Sequence, residues 1–205
     1  MIITAANRKF KFHIQQFMIH CDQLGYEYSI YDLGGLDIGR YFPVKSKMFQ
    51  EQGYYNNVND QWKTRELHKP GIIKNALSFS NLTYMDADAF PINRFDEVFN
   101  HDFDLGVTVR HEYGGCLGKI NAGVIFIKPS AIKLIDEWIE LTESMGNDQL
   151  ALNKIYQSQK YKIKEFPTAI YNYYYFPEIP NQNVKIVHFK TNNRRAYMLN
   201  YSKIF

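Results

Sequence analysis

Leu82-Thr83-Tyr84-Met85-Asp86-Ala87-Asp88 is the stretch on which the reading of this chain turns. Leu82 to Met85 join apolar and strand-favouring residues, which predicts a short buried strand. Two carboxylates follow it, one residue apart. At the edge of a core, such like charges repel and disfavour each other's ionised form unless a cation neutralises them. In an extended backbone, positions 86 and 88 point the same way, so both side chains can serve one ion. Hard oxygen ligands suit Mg²⁺ or Mn²⁺, ions that often bridge protein and phosphate oxygens. The competing reading is a solvated turn followed by a helix cap.

Outward from this stretch, strand and helix signals alternate. Strands are expected at Ile2–Ala6, Tyr26–Leu33, Leu105–Val109, Ala122–Ile127, Tyr161–Phe166 and Lys185–Phe189. Helices are expected at Arg8–Gly25, Glu66–Phe79, Ser130–Ser144 and Asp148–Tyr156. The first has Phe10, Ile14, Phe17, Met18 and Cys21 on one face and Gly25 where a C-terminal cap belongs. Pro70 falls in the first turns of the second. Ser130 is a candidate N-cap of the third, with Ile135, Trp138 and Ile139 inward. Residues 36 to 62 read as loop-rich, and Gly114–Gly118 as a flexible loop. This alternation implies one α/β domain over residues 1–205, a mainly parallel sheet flanked by helices on both faces. Ligands of such sheets bind beyond the carboxyl ends of the strands. That rule selects Ala5-Ala6-Asn7, Asp32, Asp86-Ala87-Asp88 and His188-Phe189-Lys190.

Composition narrows the function classes. The 205 residues are 45% hydrophobic and 22% charged, which argues for a folded chain and against disorder. The formal net charge of +3 makes no case for a nucleic-acid partner. Apolar runs such as Gly123–Ile127 are too short to span a bilayer, and Met1-Ile2-Ile3-Thr4 lacks the pattern of a signal peptide, so a soluble cytoplasmic protein is expected. Two cysteines, Cys21 and Cys116, fit a reducing compartment better than a disulfide framework. The aromatic content of 16% suits stacking on bases or sugars, and equally a β-rich core. From Lys185 onward there are Lys185, Lys190, Arg194, Arg195 and Lys203 but no acidic residue. Such charge suits a leaving nucleoside diphosphate, with Lys190 closest to the inferred ion, or is a solvated basic tail.

Five segments carry a family resemblance. Tyr84-Met85-Asp86-Ala87-Asp88-Ala89-Phe90 resembles the Asp-x-Asp signature of GT-A fold, nucleotide-sugar-dependent glycosyltransferases. Ile120-Asn121-Ala122-Gly123-Val124-Ile125-Phe126 resembles a strand of the same superfamily. Asn147-Asp148-Gln149 resembles its later Asp-Gln pair. Val187-His188-Phe189-Lys190 resembles the late histidine that completes the metal site in several such families, including the family 8 type. His68-Lys69-Pro70 resembles a Lys-Pro feature of some members. The segments occur in the family's order, and the resemblance runs from Ile2 to about Arg195. The resemblance implies the GT-A, Rossmann-like fold, a UDP-sugar donor and an acceptor hydroxyl on a glycan or glycoprotein. It implies Mn²⁺ (or Mg²⁺) held by Asp86, Asp88 and His188. Donor contacts would come from Lys69, Asp86, Ala87, Asn121, Ala122, Gly123 and Lys190, and Asp148 is the candidate catalytic residue.

Each position has its own chemistry and its own bland alternative. Small residues at Ala122-Gly123 let a sugar approach the backbone and Asn121 can bond its hydroxyls, or a strand start there needs little volume. Asp148 can accept a proton or merely cap a helix. It would be the base if configuration inverts, and would orient acceptor or donor if it is retained. His188 is a third ligand or a satisfied core histidine. Thr4-Ala5-Ala6-Asn7 offers small residues against which a base can lie, and Asp32 offers a carboxylate for base or ribose. Two rival functions remain: a nucleotidyltransferase making sugar nucleotides, though Asn7-Arg8-Lys9-Phe10 lacks the glycines of its usual loop, and a non-catalytic carbohydrate-binding module, suggested by the tyrosines of 161–175 and the basic tail.

Overall fold

Why one rim of this molecule collects so many polar groups follows from its strand order. The computed structural model describes residues 1–33, 36, 68–109, 119–174, 178, 180–190 and 194–201. The loop-rich stretch from residue 37 to 62, the loop Gly114–Gly118 and Cys116 lie outside them. The strands are β1 (Ile2–Ala6), β2 (Tyr28–Asp32), β3 (Leu82–Met85), β4 (Ala89–Pro91), β5 (Leu105–Val109), β6 (Ile120–Ile127), β7 (Ile163–Phe166) and β8 (Ile186–His188). The helices are α1 (Lys11–Gln23), α2 (68–76), α3 (Ile132–Met145), α4 (Asp148–Ser158), α5 (Thr168–Tyr171) and α6 (Arg194–Tyr201).

Six strands form one sheet in the order β2-β1-β3-β6-β5-β7. Five run the same way, and β6 alone opposes its neighbours β3 and β5. The sheet is therefore mainly parallel, as the alternation predicts. The reversal of β6 has a functional consequence: its amino end, Ile120-Asn121-Ala122-Gly123, shares a rim with the carboxyl ends of β1, β2 and β3.

Strand alternation divides the core into two layers. Ile2, Met85, Val124 and Phe126 face one side, with Ile14, Phe17 and Cys21 of α1. Ile3, Tyr84, Val107, Ile125 and Ile127 face the other, with Ile72 and Ile73 of α2, Leu134, Ile135 and Trp138 of α3, and Leu152 of α4. The amphipathic reading of α1 matches this, and its end does too. Gly25 has φ +67°, Tyr26 N–H donates to Cys21 O at 2.9 Å and Gly25 N–H to Asp22 O at 3.1 Å, a pair of bonds that closes the helix.

Three local expectations need correction. Ser130 does not cap α3: it sits in a 3₁₀ turn with Pro129 and bonds the Asp104 carboxylate, and the helix starts after Ala131 with no side-chain cap. The last strand, read as a member of the parallel sheet, is β8 of a separate two-stranded antiparallel sheet with β4. Three-residue strands carry too little periodicity to announce such a pairing. Finally, Asp86 to Asp88 is not extended. Ala89 N–H donates to Asp86 O at 2.9 Å, which makes the segment a tight turn.

Trp138 ties this core to the rim. It is fully buried, and its indole N–H donates to the backbone O of Asp148 at 2.7 Å. Trp138→Ala is expected to cost about 3–5 kcal/mol, because it removes a large core side chain and leaves a carbonyl without its donor. A urea titration reads this as a lower midpoint at unchanged slope, and an unshifted midpoint would contradict this packing.

Candidate functional site

β6 departs from regular pairing where it reaches the rim. Val107 pairs with Ile125, but Thr108 pairs with Asn121, so Ala122, Gly123 and Val124 have no partner on β5. The bulge reverses the alternation: Ala122 and Ile125 face the same layer. Freed from the ladder, Ala122 finds side chains instead. Its O accepts from Lys69 Nζ at 3.0 Å, and its N–H donates to Gln149 Oε1 at 3.4 Å. On the other edge Gly123 O still accepts from Asp86 N at 2.8 Å, which pins the acidic turn to the bulge.

β4 then delivers the histidine. Ala89 pairs with His188, and Phe189 N–H donates to Asp88 O at 2.8 Å. His188 Nε2 stands 3.2 Å from Asp88 Oδ1 and 3.9 Å from Asp86 Oδ2. One ligand atom from each of Asp86, Asp88 and His188 lies within 4.8 Å of the others. Of these side chains, Asp86 is the accessible one, at 33% exposure against 9% for Asp88 and 5% for His188.

The opposite oxygen of Asp86 faces the other layer. Lys69 Nζ, from the first turn of α2, lies 3.2 Å from Asp86 Oδ1 and 2.8 Å from Asp148 Oδ2, and 5.2 Å from the centre of the Tyr84 ring. Burial alone would pull this ammonium down; Asp148 first and then Asp86 hold it well above the usual lysine range. Asp86 thus joins two half-sites, with Lys69 and Asp148 behind the sheet and Asp88 and His188 before it. Asp148 is not the helix cap. Asn147 caps α4 by accepting from Leu150 N–H at 2.8 Å, which leaves the Asp148 carboxylate for Lys69.

The charges test whether a divalent ion fits. Lys69 balances two of the three carboxylates, Asp86 and Asp148, while Asp88 faces His188. Two carboxylates and an imidazole that converge in a largely buried cluster form a donor set for one divalent cation. Oxygen and imidazole donors in that set suit Mn²⁺ and accommodate Mg²⁺. Lys69→Met tests the other half of this balance. It leaves Asp148, only 6% exposed, without its cation and is expected to cost roughly 3–5 kcal/mol in urea unfolding at neutral pH. Unchanged stability would contradict the coupling.

The remaining candidates fall around this centre. Ala6 pairs with Asp32, and Asp32 Oδ1 accepts from Leu36 N–H at 3.3 Å, so both lie on the same rim beyond β1 and β2. Ala5 and Asn7 are partly buried, and Asn7 caps a 3₁₀ turn by accepting from Lys9 N–H at 3.1 Å. Thr4 is fully enclosed beneath them. Lys190 follows β8 and rests 4.3 Å from the centre of the Tyr174 ring. Ala87 is the buried middle of the acidic turn. Gly123 has a different reason from the one expected. A Cβ there would lie 2.5 Å from His188 Cε1 and 2.8 Å from Asp86 Oδ2, so the space a side chain would take is filled by the site's own groups and not kept for a sugar. Asn121 Oδ1 is likewise engaged within the protein, by Gly123 N–H at 2.8 Å and Asn172 Nδ2 at 3.1 Å. Asn172 and Thr108 were not among the expected residues: nothing in Tyr171-Asn172-Tyr173 sets that asparagine apart from its aromatic neighbours.

Comparison with solved structures places this architecture. A glycosyltransferase involved in the glycosylation of the major capsid of PBCV-1 superposes with a TM-score of 0.65 over 98% of both chains, at 13% identity. The chain has the GT-A fold. Within it, the glycosyltransferase GlyE of Streptococcus pneumoniae TIGR4 matches 98% of this chain with 60% of its own, at a TM-score of 0.63 and 14% identity. The galactosyltransferase LgtC, in complex with donor and acceptor sugar analogs, matches 98% of this chain and 95% of its own, at 0.60 and 11%. No family model and no curated protein matches the sequence. Among the described residues no helix is long and apolar enough to cross a membrane.

Proposed function

We propose that this GT-A chain is a metal-dependent glycosyltransferase that moves a sugar from a UDP-sugar to a hydroxyl of a glycan or glycoprotein. The observation that carries the reading is the convergence of Asp86, Asp88 and His188 on one point of the GT-A rim, within 4.8 Å. Asp88 and His188 would hold Mn²⁺, with Asp86 as the third and most exposed ligand. When bound, the ion offsets charge that develops on the departing UDP.

The chain's own residues supply the rest. Lys190, whose backbone N–H donates to His188 O at 3.0 Å, would add positive charge toward the diphosphate. Lys69 and Asn121 would serve the donor sugar indirectly, by holding Asp86 and, through Asn172, His188 in place. Asp32, Ala5 and Asn7 line the rim further out, where base and ribose would extend. The commitment of Asp148 Oδ2 to Lys69 at 2.8 Å supports an orienting role for this carboxylate over proton abstraction.

The test is a transfer assay with a panel of UDP-sugars and simple saccharide acceptors, reading released UDP. Turnover that needs Mn²⁺ and stops on chelation is expected. Formation of a sugar nucleotide from UTP and a sugar 1-phosphate would instead make the chain a nucleotidyltransferase, and glycan binding with neither nucleotide nor metal would make it a binding module.

A further inference from the structure

We infer that Asn172 is a positioning residue for the metal cluster: it fixes the tautomer and ring orientation of His188, so that Nε2 turns a lone pair toward Asp86 and Asp88. The inference rests on the metal-dependent reading above and adds a residue to it. Asn172 is fully buried at the end of α5. The chain beside it is laced to β8: Tyr173 N–H donates to Ile186 O at 2.9 Å, and Tyr173 O accepts from His188 N–H at 2.7 Å.

A backbone group settles which way the Asn172 amide points. Gly123 N–H can only donate, so Asn121 Oδ1, 2.8 Å away, is an acceptor. Asn172 must therefore offer it an N–H, and Nδ2 does so at 3.1 Å while also donating to Thr108 Oγ1 at 2.7 Å. That leaves Asn172 Oδ1 facing His188 Nδ1 at 2.9 Å. An oxygen without a proton accepts there only if Nδ1 carries one. In the neutral form, the one that can ligate a metal, the ring has only that single N–H, so Nε2 carries a lone pair where it meets Asp88 Oδ1 at 3.2 Å. Two acceptors at that distance repel each other, and a cation shared between them turns the contact favourable. The bulge in β6 takes part as well, because it brings Thr108 opposite Asn121 and completes the relay.

The test measures Mn²⁺ affinity by electron paramagnetic resonance of the free ion, with saturating UDP. Asn172→Leu is expected to weaken binding by about 10–100-fold. Asn172→Asp keeps an acceptor for Nδ1–H and is expected to recover most of that affinity, although a buried carboxylate beside Asn121 Oδ1 makes the protein less stable than the Leu variant. A purely structural role predicts the reverse order, with affinity falling as stability falls. Wild-type affinity in Asn172→Leu overturns the inference alone, whereas wild-type protein that binds no Mn²⁺ overturns the metal-dependent reading beneath it. If neither variant folds, wild-type protein labelled at its histidine nitrogens and loaded with cadmium decides: scalar coupling at Nε2 with Nδ1 protonated is expected, and coupling at Nδ1 overturns the assignment.

Discussion

Asp88→Ala is expected to abolish manganese-dependent transfer while leaving the fold in place. The carboxylate faces His188 Nε2 at 3.2 Å and is nearly enclosed, so no neighbouring side chain or solvent oxygen takes its place without rearrangement. The backbone work of residue 88 is separate: its carbonyl accepts from Phe189 N–H, and the turn closes through Ala89 N–H and Asp86 O. Truncation at Cβ touches neither bond, and it relieves repulsion between two acidic side chains. A bound ion contributes several kcal/mol to stabilising a departing diphosphate, so its loss lowers the rate roughly a thousandfold or more. The variant should unfold at a midpoint equal to or above that of the wild type. Turnover near the wild-type rate in a radiolabelled-sugar assay would remove Asp88 from the metal site.

The second large effect comes from adding one methyl group. In Gly123→Ala the new Cβ meets His188 Cε1 at 2.5 Å, Asp86 Oδ2 at 2.8 Å and Asn121 Oδ1 at 2.9 Å. None of the three can simply swing away. His188 is held by Asn172, Asp86 by Lys69, and Asn121 by the N–H of Gly123 itself. Relief therefore comes from spreading the cluster that has to converge on an ion. Overpacking of this kind costs about 1–3 kcal/mol of stability. The loss of metal affinity should exceed what that destabilisation alone would cause, since the displaced atoms are the ligands. Gly71→Ala is the control: its Cβ meets nothing within 4 Å on α2, and alanine there favours the helix by up to about 1 kcal/mol. Equal Mn²⁺ affinity in the two variants would contradict this account of Gly123.

Local signals in the sequence were readable where one element carried them. The apolar run that ends in Asp86 marks both β3 and the rim, and the helical face from Phe10 to Cys21 with Gly25 after it marks α1 and its end. Groups that meet across the fold were readable through the strand-end rule, which collects Asp32, Asp86, Asp88 and His188 on one rim, and through the family resemblance. Lys69 and Asp148 sit on different helices, and their ion pair follows from how α2 and α4 pack behind β6. His188 could be named, but not the three-residue strand that presents it, because β4 and β8 are too short to show a period. The carboxylates at 86 and 88 were expected to align through extended geometry; a turn aligns them instead, held by Gly123 O on one side and Phe189 N–H on the other. Asn172 left no trace, since its role depends on a bulge in β6 and on the hydrogen-bond direction of a distant backbone N–H.

The central claim is that Asp86, Asp88 and His188 bind a divalent ion that in turn binds the diphosphate of a nucleotide. Calorimetric titration of the wild-type protein with UDP, in the presence of Mn²⁺ and then after chelation, tests it most directly. Binding with Mn²⁺ that disappears on chelation is the result this account predicts; UDP binding of equal strength under both conditions, or none in either, would contradict it.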